Sequence, residues 1–276
     1  MLSTQSEQLN RQGNDHFSRG FYTEAYVCYV QALECDRLSG DRRAMAATLG
    51  NLGNICAVSG RREQALAYYQ EVLELQKILG DERGIGTTLA NLGNLRADAG
   101  EWERAKAYYL EALDLMRRTG DEMGMAVLYS DLGLVARETG QYEEAMRHYE
   151  QSLTFMRRLG NHAGMADAWR MMARTYLTQD RPEEALACCR TSLALAERVR
   201  DDLRVGGAWY LMTHCYEQLG RLREAVELLE RVVRVDQKYH LPKLEENAKR
   251  LEALKARLAH GAAAEPASSR ASERPA

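Results

Sequence analysis

The sequence predicts an all-α protein, a solenoid of six helical hairpins with a capping helix at the C-terminal end. The first observation behind this prediction is a spacing of forty residues that runs through the chain without a slip. The second is that apolar residues recur at helical spacing on both sides of a regularly placed glycine. A fixed period of this length means that each unit buries its apolar face against its neighbours. The period is marked by Ala25, Ala65, Ala105, Ala145, Ala185 and Ala225.

Each unit is expected to hold two helices joined by a short turn. In the second unit Leu49, Leu52 and Cys56 form an apolar stripe, Gly60 interrupts it, and Tyr69 lies in the stripe of the next helix. A residue that tolerates positive φ can end the first helix at the same place in every unit. These residues are Gly20, Gly60, Gly100, Gly140, Asp180 and Gly220.

A second break separates each unit from the next. A glycine ends the second helix, and the following Asp or Asn can accept hydrogen bonds from the first amides of the next helix. The pairs are Gly40-Asp41, Gly80-Asp81, Gly120-Asp121 and Gly160-Asn161, with Arg200-Asp201 at the last boundary.

Glycine also lies in the middle of the first helix of four units, where it costs about 1 kcal/mol relative to alanine. We expect close packing to compensate, with each glycine against the small alanine of the partner helix in its own hairpin. Gly93, for example, is expected to pack on Ala105. The other three glycines are Gly13, Gly53 and Gly133.

The repeats account for residues 6–240. Residues 1–5 are expected to be a disordered N-terminus. Residues 241–259 have an apolar face opposite charged residues, as in the capping helix that ends a repeat array. Residues 260–276 show no periodicity and are predicted to be a disordered tail.

Charge and composition argue against several classes of protein. A formal net charge of −3, with both signs interleaved, gives no electrostatic footprint for nucleic acid. No apolar run approaches ~18 residues and the start of the chain lacks a signal-peptide pattern, so neither membrane spanning nor secretion is expected. The six cysteines include no C-x-x-C pair and are interpreted as small core residues of a cytoplasmic protein.

No catalytic or metal-binding pattern occurs in the sequence. The histidines form no H-E-x-x-H motif, and no glycine pattern of a nucleotide-binding loop or nucleophile elbow is found. Acidic pairs such as Glu143-Glu144 fall in first turns of helices, where they stabilise the helix dipole. We therefore expect no enzymatic activity, no metal and no cofactor.

The order Leu52-Gly53, then Ala65, then Tyr69 resembles the tetratricopeptide signature, with Tyr in place of Phe. All six units fit it. The forty-residue period exceeds the usual period of about 34 residues and is similar to that of the Pins family and kinesin light chain. The resemblance implies a right-handed superhelical solenoid of tetratricopeptide-like hairpins that binds peptides.

By the same resemblance, polar residues on the first helices line a concave groove. In its first half these residues are asparagines, whose amides can both donate to and accept from the backbone of an extended peptide of any sequence. A local hydrogen bond or solvation explains any one of them equally well, but their common register favours binding. They are Asn14, Asn51, Asn54, Asn91 and Asn94.

The second half of the predicted groove combines cations with apolar side chains. This combination suits a ligand with carboxylates and hydrophobic groups, and a solvated arginine face is the alternative. The predicted peptide-binding residues here are Arg137, Arg170, Met171, Arg174, Tyr210, Leu211 and His214.

The predicted function is that of a scaffold or adaptor that binds a linear segment of another protein. Two alternatives remain open. One is a ligand-gated regulatory receptor for short peptides. The other is a structural subunit that self-assembles through its first repeat, where Phe21, Tyr22 and Tyr26 offer an aromatic surface, although ordinary packing also explains these residues.

Overall fold

The computed structural model describes residues 2–264, which form thirteen α-helices and no strand within that range. The chain divides into two compact units, of which unit 1 ends at Gln141 and unit 2 begins at Tyr142. The all-α fold and the helical repeats predicted from the sequence are confirmed.

Unit 1 holds seven helices in two layers. Three hairpins are formed by α1 with α2, α3 with α4, and α5 with α6. Each odd-numbered helix also contacts the next odd-numbered helix, so that α1, α3, α5 and α7 lie side by side. We call the surface of this layer the first-helix face of unit 1. The helices are α1 (Leu2–Ser18), α2 (Tyr22–Ser39), α3 (Arg42–Val58), α4 (Arg62–Leu79), α5 (Glu82–Asp98), α6 (Trp102–Thr119) and α7 (Glu122–Glu138).

The helices of unit 2 are arranged in the same way as those of unit 1. Helices α9 with α10 and α11 with α12 form hairpins, α9 also contacts α11, and α13 packs on α12. The helices are α8 (Tyr142–Arg158), α9 (His162–Thr178), α10 (Pro182–Arg198), α11 (Asp202–Gln218), α12 (Leu222–Tyr239) and α13 (Leu244–Ala264).

The predicted turns and caps are confirmed. Gly60 has a φ of +72° and Asp180 a φ of 56°, so each residue closes a first helix in the left-handed region. At the unit boundaries the side chain of Asp41 accepts hydrogen bonds from the amides of Arg43 and Ala44, both 3.0 Å long. Asp81, Asp121, Asn161 and Asp201 cap their helices in the same way. Each boundary therefore ends one helix and starts the next.

The prediction that the mid-helix glycines pack on alanines is wrong for Gly13, Gly53 and Gly93. The alanines are buried, but it is the tyrosine ring of the second helix that lies against each of these three glycines. A β-carbon on Gly53 would lie 2.5 Å from Cε1 of Tyr69, and one on Gly93 would lie 2.6 Å from Cδ1 of Tyr109. Because a tyrosine ring is large and flat, it needs bare backbone opposite it, and this explains why helix-breaking glycine is tolerated there.

The core of each hairpin consists of aliphatic side chains from both helices. In unit 1, Leu49, Leu52 and Ile55 are fully buried and pack with Val72 of the next helix. Complete burial of one such side chain stabilises the fold by about 1.5–3 kcal/mol. The helices of the first-helix face thus pack on a fully buried core.

The ends of the array differ from the expected boundaries. Helix α1 begins at Leu2, so residues 2–5 are helical where a disordered start was expected. The capping helix begins at Leu244 and extends to Ala264, beyond the expected end at residue 259. An alanine run favours helix, and this explains the longer C-terminal end. Residues 265–276 of the predicted tail lie outside the described residues.

Candidate functional site

The asparagines at one repeated position of unit 1 accept hydrogen bonds from the tyrosines that pack on the neighbouring glycines. The hydroxyl of Tyr69 donates to Oδ1 of Asn54 over 2.7 Å, and Tyr109 donates to Asn94 over 2.7 Å. In the first hairpin Tyr29 donates to Asn14 over 2.6 Å. The sequence thus encodes a repeated unit in which glycine admits the ring and the next residue binds its hydroxyl.

This contact fixes the direction of each amide. Since Oδ1 accepts from a hydroxyl inside the hairpin, the tyrosine fixes which end of the amide points inward, and Asn14, Asn54 and Asn94 are all exposed. The sequence suggested that these amides both donate and accept. The structure uses one acceptor position of each oxygen within the hairpin.

Burial of the tyrosine hydroxyls raises their pKa. The pKa of Tyr69 rises to about 12, chiefly because burial disfavours the phenolate. The pKa of Tyr109 is raised for the same reason, with a further contribution from the charge of Asp131. The hydroxyls therefore keep their protons and remain donors to the asparagines throughout the physiological pH range.

Asn51 belongs to a different arrangement, a polar chain between the first two hairpins. Its Nδ2 donates to Oδ1 of Asn10 over 3.2 Å, and Asn10 donates to Thr48 over 2.8 Å. Thr48 donates in turn to Oδ2 of Asp36 over 2.7 Å, and Asp36 is fully buried. Sequence reasoning missed Asn10, Thr48 and Asp36. The signal for Thr48 and Asp36 was a polar residue at a position that is apolar and buried in several later repeats, whereas Asn10 gave no such signal.

Two shallow depressions on the first-helix face bring the asparagines together. One, of 680 Å³, is lined by Asn14 and Asn51 together with Asn10 and Arg11. The other, of 330 Å³, is lined by Asn54, Asn91, Asn94, Tyr69 and Asp98 among others. All five predicted asparagines of unit 1 thus border a depression.

Helix α7 contributes charged side chains, in place of asparagines, to the first-helix face of unit 1. Asp131 occupies the repeat position of Asn51 and Asn91, and burial raises the pKa of its carboxyl to about 7. The side chain of Arg137 is 9 % exposed and pairs with Glu138, so little of its guanidinium faces solvent.

In unit 2 the structure brings four of the six predicted residues to one cavity of 340 Å³. Arg170 is half-buried and donates to Asp167 over 3.3 Å, while Leu211 is 4 % exposed. Met171 lies on α9 and His214 on α11, and neither lines this cavity. The four lining residues are Arg170, Arg174, Tyr210 and Leu211.

His214 lies within a cluster of positive charge. The guanidinium of Arg250 contacts both ring nitrogens, at 2.8 and 3.0 Å, and Tyr210 packs edge-on with its ring centre 4.8 Å from that of the histidine. Burial, followed by the charges of Arg250, Lys243 and Arg174, lowers the pKa of His214 to about 4. The imidazole is therefore neutral at physiological pH.

The cysteines are free thiols, and five of the six are buried, which is the core role expected of them. Burial raises the pKa of the Cys188 thiol to about 11, so it stays protonated and is a poor nucleophile. Within residues 2–264 no three His, Cys, Asp or Glu side chains are grouped so as to hold a metal ion. No helix of that range is both long and apolar enough to cross a membrane.

The first hairpin exposes apolar side chains. Phe21 is 51 % and Tyr22 42 % exposed, and Val27 and Val30 on α2 are also exposed. Tyr26 is half-buried, and its hydroxyl lies 3.1 Å from that of Tyr68. Tyr26 is thus used in packing, whereas Phe21 and Tyr22 remain at the surface.

These features define a helical repeat protein with polar and basic side chains on the first helices of its hairpins. The tetratricopeptide repeat model matches residues 5–78, 84–158 and 164–238, and the chain belongs to the tetratricopeptide repeat family. Proteins of this family generally mediate interactions between proteins, and they are typically scaffolds without enzymatic activity. A search of curated proteins found no match to the sequence.

Solved structures with a similar fold share little sequence with this chain. BtubC from P. vanneervenii is 16 % identical with a TM-score of 0.65, and the match covers 87 % of this chain and 92 % of that one. A Rap protein complexed with competence and sporulation factor is 16 % identical with a TM-score of 0.68, covering 93 % and 76 %. The repeats of a putative kinesin light chain from Podospora anserina are 18 % identical with a TM-score of 0.56, covering 71 % and 96 %. These similarities establish the fold.

Proposed function

We propose that this protein is a scaffold or adaptor whose first-helix face in unit 1 binds an extended segment of a partner protein. The observation that carries the proposal is the repeated tyrosine–asparagine contact. It presents the Nδ2 groups of Asn14, Asn54 and Asn94 at the same place in three successive hairpins.

Amide donors of this kind suit the backbone of an extended chain. Backbone carbonyl oxygens recur along such a chain whatever its side chains, and an Nδ2 group can donate to each. Because the tyrosines hold the amides in place, little side-chain entropy is lost on binding. Asn51 and Asn91, which border the same two depressions, add contacts beside the three fixed donors.

Unit 2 supplies a second contact region in this proposal. Arg170, Arg174 and Tyr210 would read acidic and apolar side chains of the partner, since guanidinium groups bind carboxylates and aromatic rings pack on apolar groups. Arg137, Met171 and His214 are retained as peripheral positions. The proposal places the protein in the cytoplasm, where its six free cysteines stay reduced.

The test is to select binding peptides from a random library displayed on phage with the full chain as bait. A selected peptide is then added to the protein, and backbone hydrogen exchange is measured helix by helix. The proposal predicts slower backbone exchange on α1, α3 and α5, with exchange on α2, α4 and α6 unchanged. Protection confined to the even-numbered helices would reject the first-helix face as the binding surface.

A receptor for short peptides is the alternative within this proposal. It is supported by the similarity to a Rap protein whose structure contains competence and sporulation factor. A receptor differs from a constitutive scaffold in that its ligand alters binding of a further protein. Adding the selected peptide to a captured partner distinguishes the two, because release or recruitment of the partner marks a receptor.

Self-assembly is a separate candidate, supported by the exposure of Phe21 and Tyr22 at the first hairpin. Large exposed apolar side chains side by side commonly mark an interface. Light scattering coupled to gel filtration measures the mass over a range of concentrations. A dimer that is lost in a Phe21→Ser/Tyr22→Ser variant supports this candidate, and a constant monomeric mass rejects it.

A further inference from the structure

The cavity of unit 2 lies between α9, α11 and the turn that joins α12 to α13. Gly207 of α11 is one of the residues that line it. The equivalent residues of four other repeats all have side chains, namely Ala47, Thr87, Val127 and Asp167. A β-carbon on Gly207 would already lie 3.6 Å from Cδ of Arg170, so a larger side chain would fill the space.

One side of the cavity is cationic. Arg170, Arg174 and Lys243 line it, and the ammonium of Lys243 lies 5.3 Å from the centre of the Tyr210 ring. After burial, the charges of Lys243 and Arg174 also contribute to the low pKa of His214. A carboxylate placed here would be stabilised by these cations.

Hydrogen-bond acceptors line the cavity near the start of α13. Nδ2 of Asn247 donates to Oδ2 of Asp236 over 2.7 Å, and because a carboxylate accepts, this contact fixes which end of the amide faces it. Oδ1 of Asn247 is left buried, with no hydrogen-bond partner among the described residues, although the residue is only 2 % exposed. Asp236 and Asn247 both line the cavity. A buried acceptor without a donor is costly, and it marks a place for a donor from a ligand.

The remaining walls are apolar. They are formed by aliphatic side chains of α11 and α12 and by the turn before α13, including Leu203, Val232, Val235 and Leu241. The volume of 340 Å³ falls at the lower end of the range for small-molecule sites. The cavity thus has three kinds of wall: cations, hydrogen-bond acceptors and aliphatic groups.

We propose that this cavity binds a free α-amino acid with an aliphatic side chain. The ammonium group would donate to the carboxylate of Asp236 and, after a small rotation of the Asn247 amide, to its Oδ1. The carboxylate would contact Arg170, Arg174 and Lys243, and the side chain would pack on the aliphatic walls. A free amino acid carries an ammonium and a carboxylate on the same α-carbon, whereas an internal peptide residue carries neither. The inference goes beyond the proposed function, because its ligand is a small molecule, and it reuses Arg170, Arg174 and Tyr210 of the second contact region.

The test is isothermal titration calorimetry of the full chain with L-leucine, L-isoleucine and L-valine. We expect saturable binding of at least one of them. N-acetyl-L-leucine lacks the ammonium and L-leucinamide lacks the carboxylate, so each should bind at least about tenfold more weakly than leucine, the equivalent of one charge-assisted contact. Equal binding of N-acetyl-leucine would overturn the proposal and point to the carboxyl-terminal residue of a peptide. No saturable heat with any of the three up to about 10 mM would also overturn it.

Two variants and a control test the location. Gly207→Val fills the cavity and Lys243→Gln removes an exposed cation at its rim, and both are expected to weaken leucine binding at least about tenfold. Thr87→Val introduces the same side chain at the same repeat position in unit 1 and should leave binding unchanged. Thermal unfolding shows whether the Gly207 variant is folded, and Lys243→Gln tests the site independently of packing. Undiminished binding by folded forms of both variants would place the amino acid elsewhere.

Discussion

The hydroxyl of Tyr109 donates a hydrogen bond of 2.7 Å to Oδ1 of Asn94, the residue that follows the glycine on which the tyrosine ring packs. The ring is almost completely buried, whereas the asparagine is exposed. One pair of residues therefore joins the core of the hairpin to its surface. The same relationship holds between Tyr69 and Asn54, so that the fold itself sets the direction of the amides that we propose as ligand contacts.

Replacement of Gly93 by Ala is expected to destabilise the protein by about 1–3 kcal/mol, because the added β-carbon overlaps the Tyr109 ring. The matched control is Gly50→Ala, also in a helix of unit 1, where a β-carbon meets nothing within 4 Å. The control should stabilise by about 0.5–1 kcal/mol through helix propensity. Urea unfolding measures both, and equal effects of the two changes would contradict the packing assignment.

The hydrogen bond between Tyr69 and Asn54 is expected to contribute to stability as a pair. A double-mutant cycle of Tyr69→Phe and Asn54→Ala should give a coupling free energy of about 0.5–1.5 kcal/mol. Chemical unfolding of the four proteins supplies the values. Strictly additive effects would show that the contact does not hold the amide in solution.

Asp131 makes stability depend on pH. Its pKa is raised from 3.8 to about 7 in the folded protein, so the folded state binds the proton more tightly than the unfolded chain does. The stability from this group is complete below about pH 4 and is lost as the pH rises to about 7. Asp131→Asn should therefore stabilise the protein at pH 8 by about 1–3 kcal/mol, a range reduced for the partial exposure of the side chain. Unfolding at pH 8 and pH 4 checks this, with no difference expected at pH 4.

The contribution of His214 to stability depends on pH in the opposite direction. Its pKa is lowered from 6.5 to about 4, so its contribution to stability is complete above pH 6.5 and is lost as the pH falls towards 4. Removal of one neighbouring charge by Arg250→Gln should raise the pKa of His214. Titration of the ring signals by nuclear magnetic resonance measures both proteins. A His214 that titrates at its ordinary pKa in the wild type would contradict the charge cluster.

Much of the fold follows from the forty-residue period. The period gives the positions of turns such as Gly60 and of caps such as Asp41, because these depend on local backbone chemistry that recurs in each unit. It also indicates which side chains turn inward. It does not show which of them meet, and this is why Ala105 rather than Tyr109 was expected opposite Gly93.

The repeat register of the candidate asparagines was predictable from the sequence, but their hydrogen-bond partners were not. The common register of Asn54 and Asn94 was visible in the sequence, whereas the occupation of their oxygens depends on a ring fifteen residues further along the chain. The cavity of unit 2 was even less predictable from the sequence, since Gly207, Asp236 and Asn247, which line it, come from three helices. A single sequence does not reveal such a combination.

The most direct test of the proposed function is the affinity of a selected peptide for wild-type protein and for an Asn54→Asp/Asn94→Asp variant, measured by fluorescence polarisation. Aspartate keeps an oxygen that accepts from Tyr69 and Tyr109 but removes the Nδ2 donors, while Asn54→Ala/Asn94→Ala removes the donors without adding charge. The control is Tyr69→Phe, which leaves both amides in place.

We expect both double variants to weaken binding at least about tenfold, the equivalent of losing one or two hydrogen bonds, and the control to weaken it less. Unchanged affinity in both folded double variants would contradict the claim that these amides bind the partner.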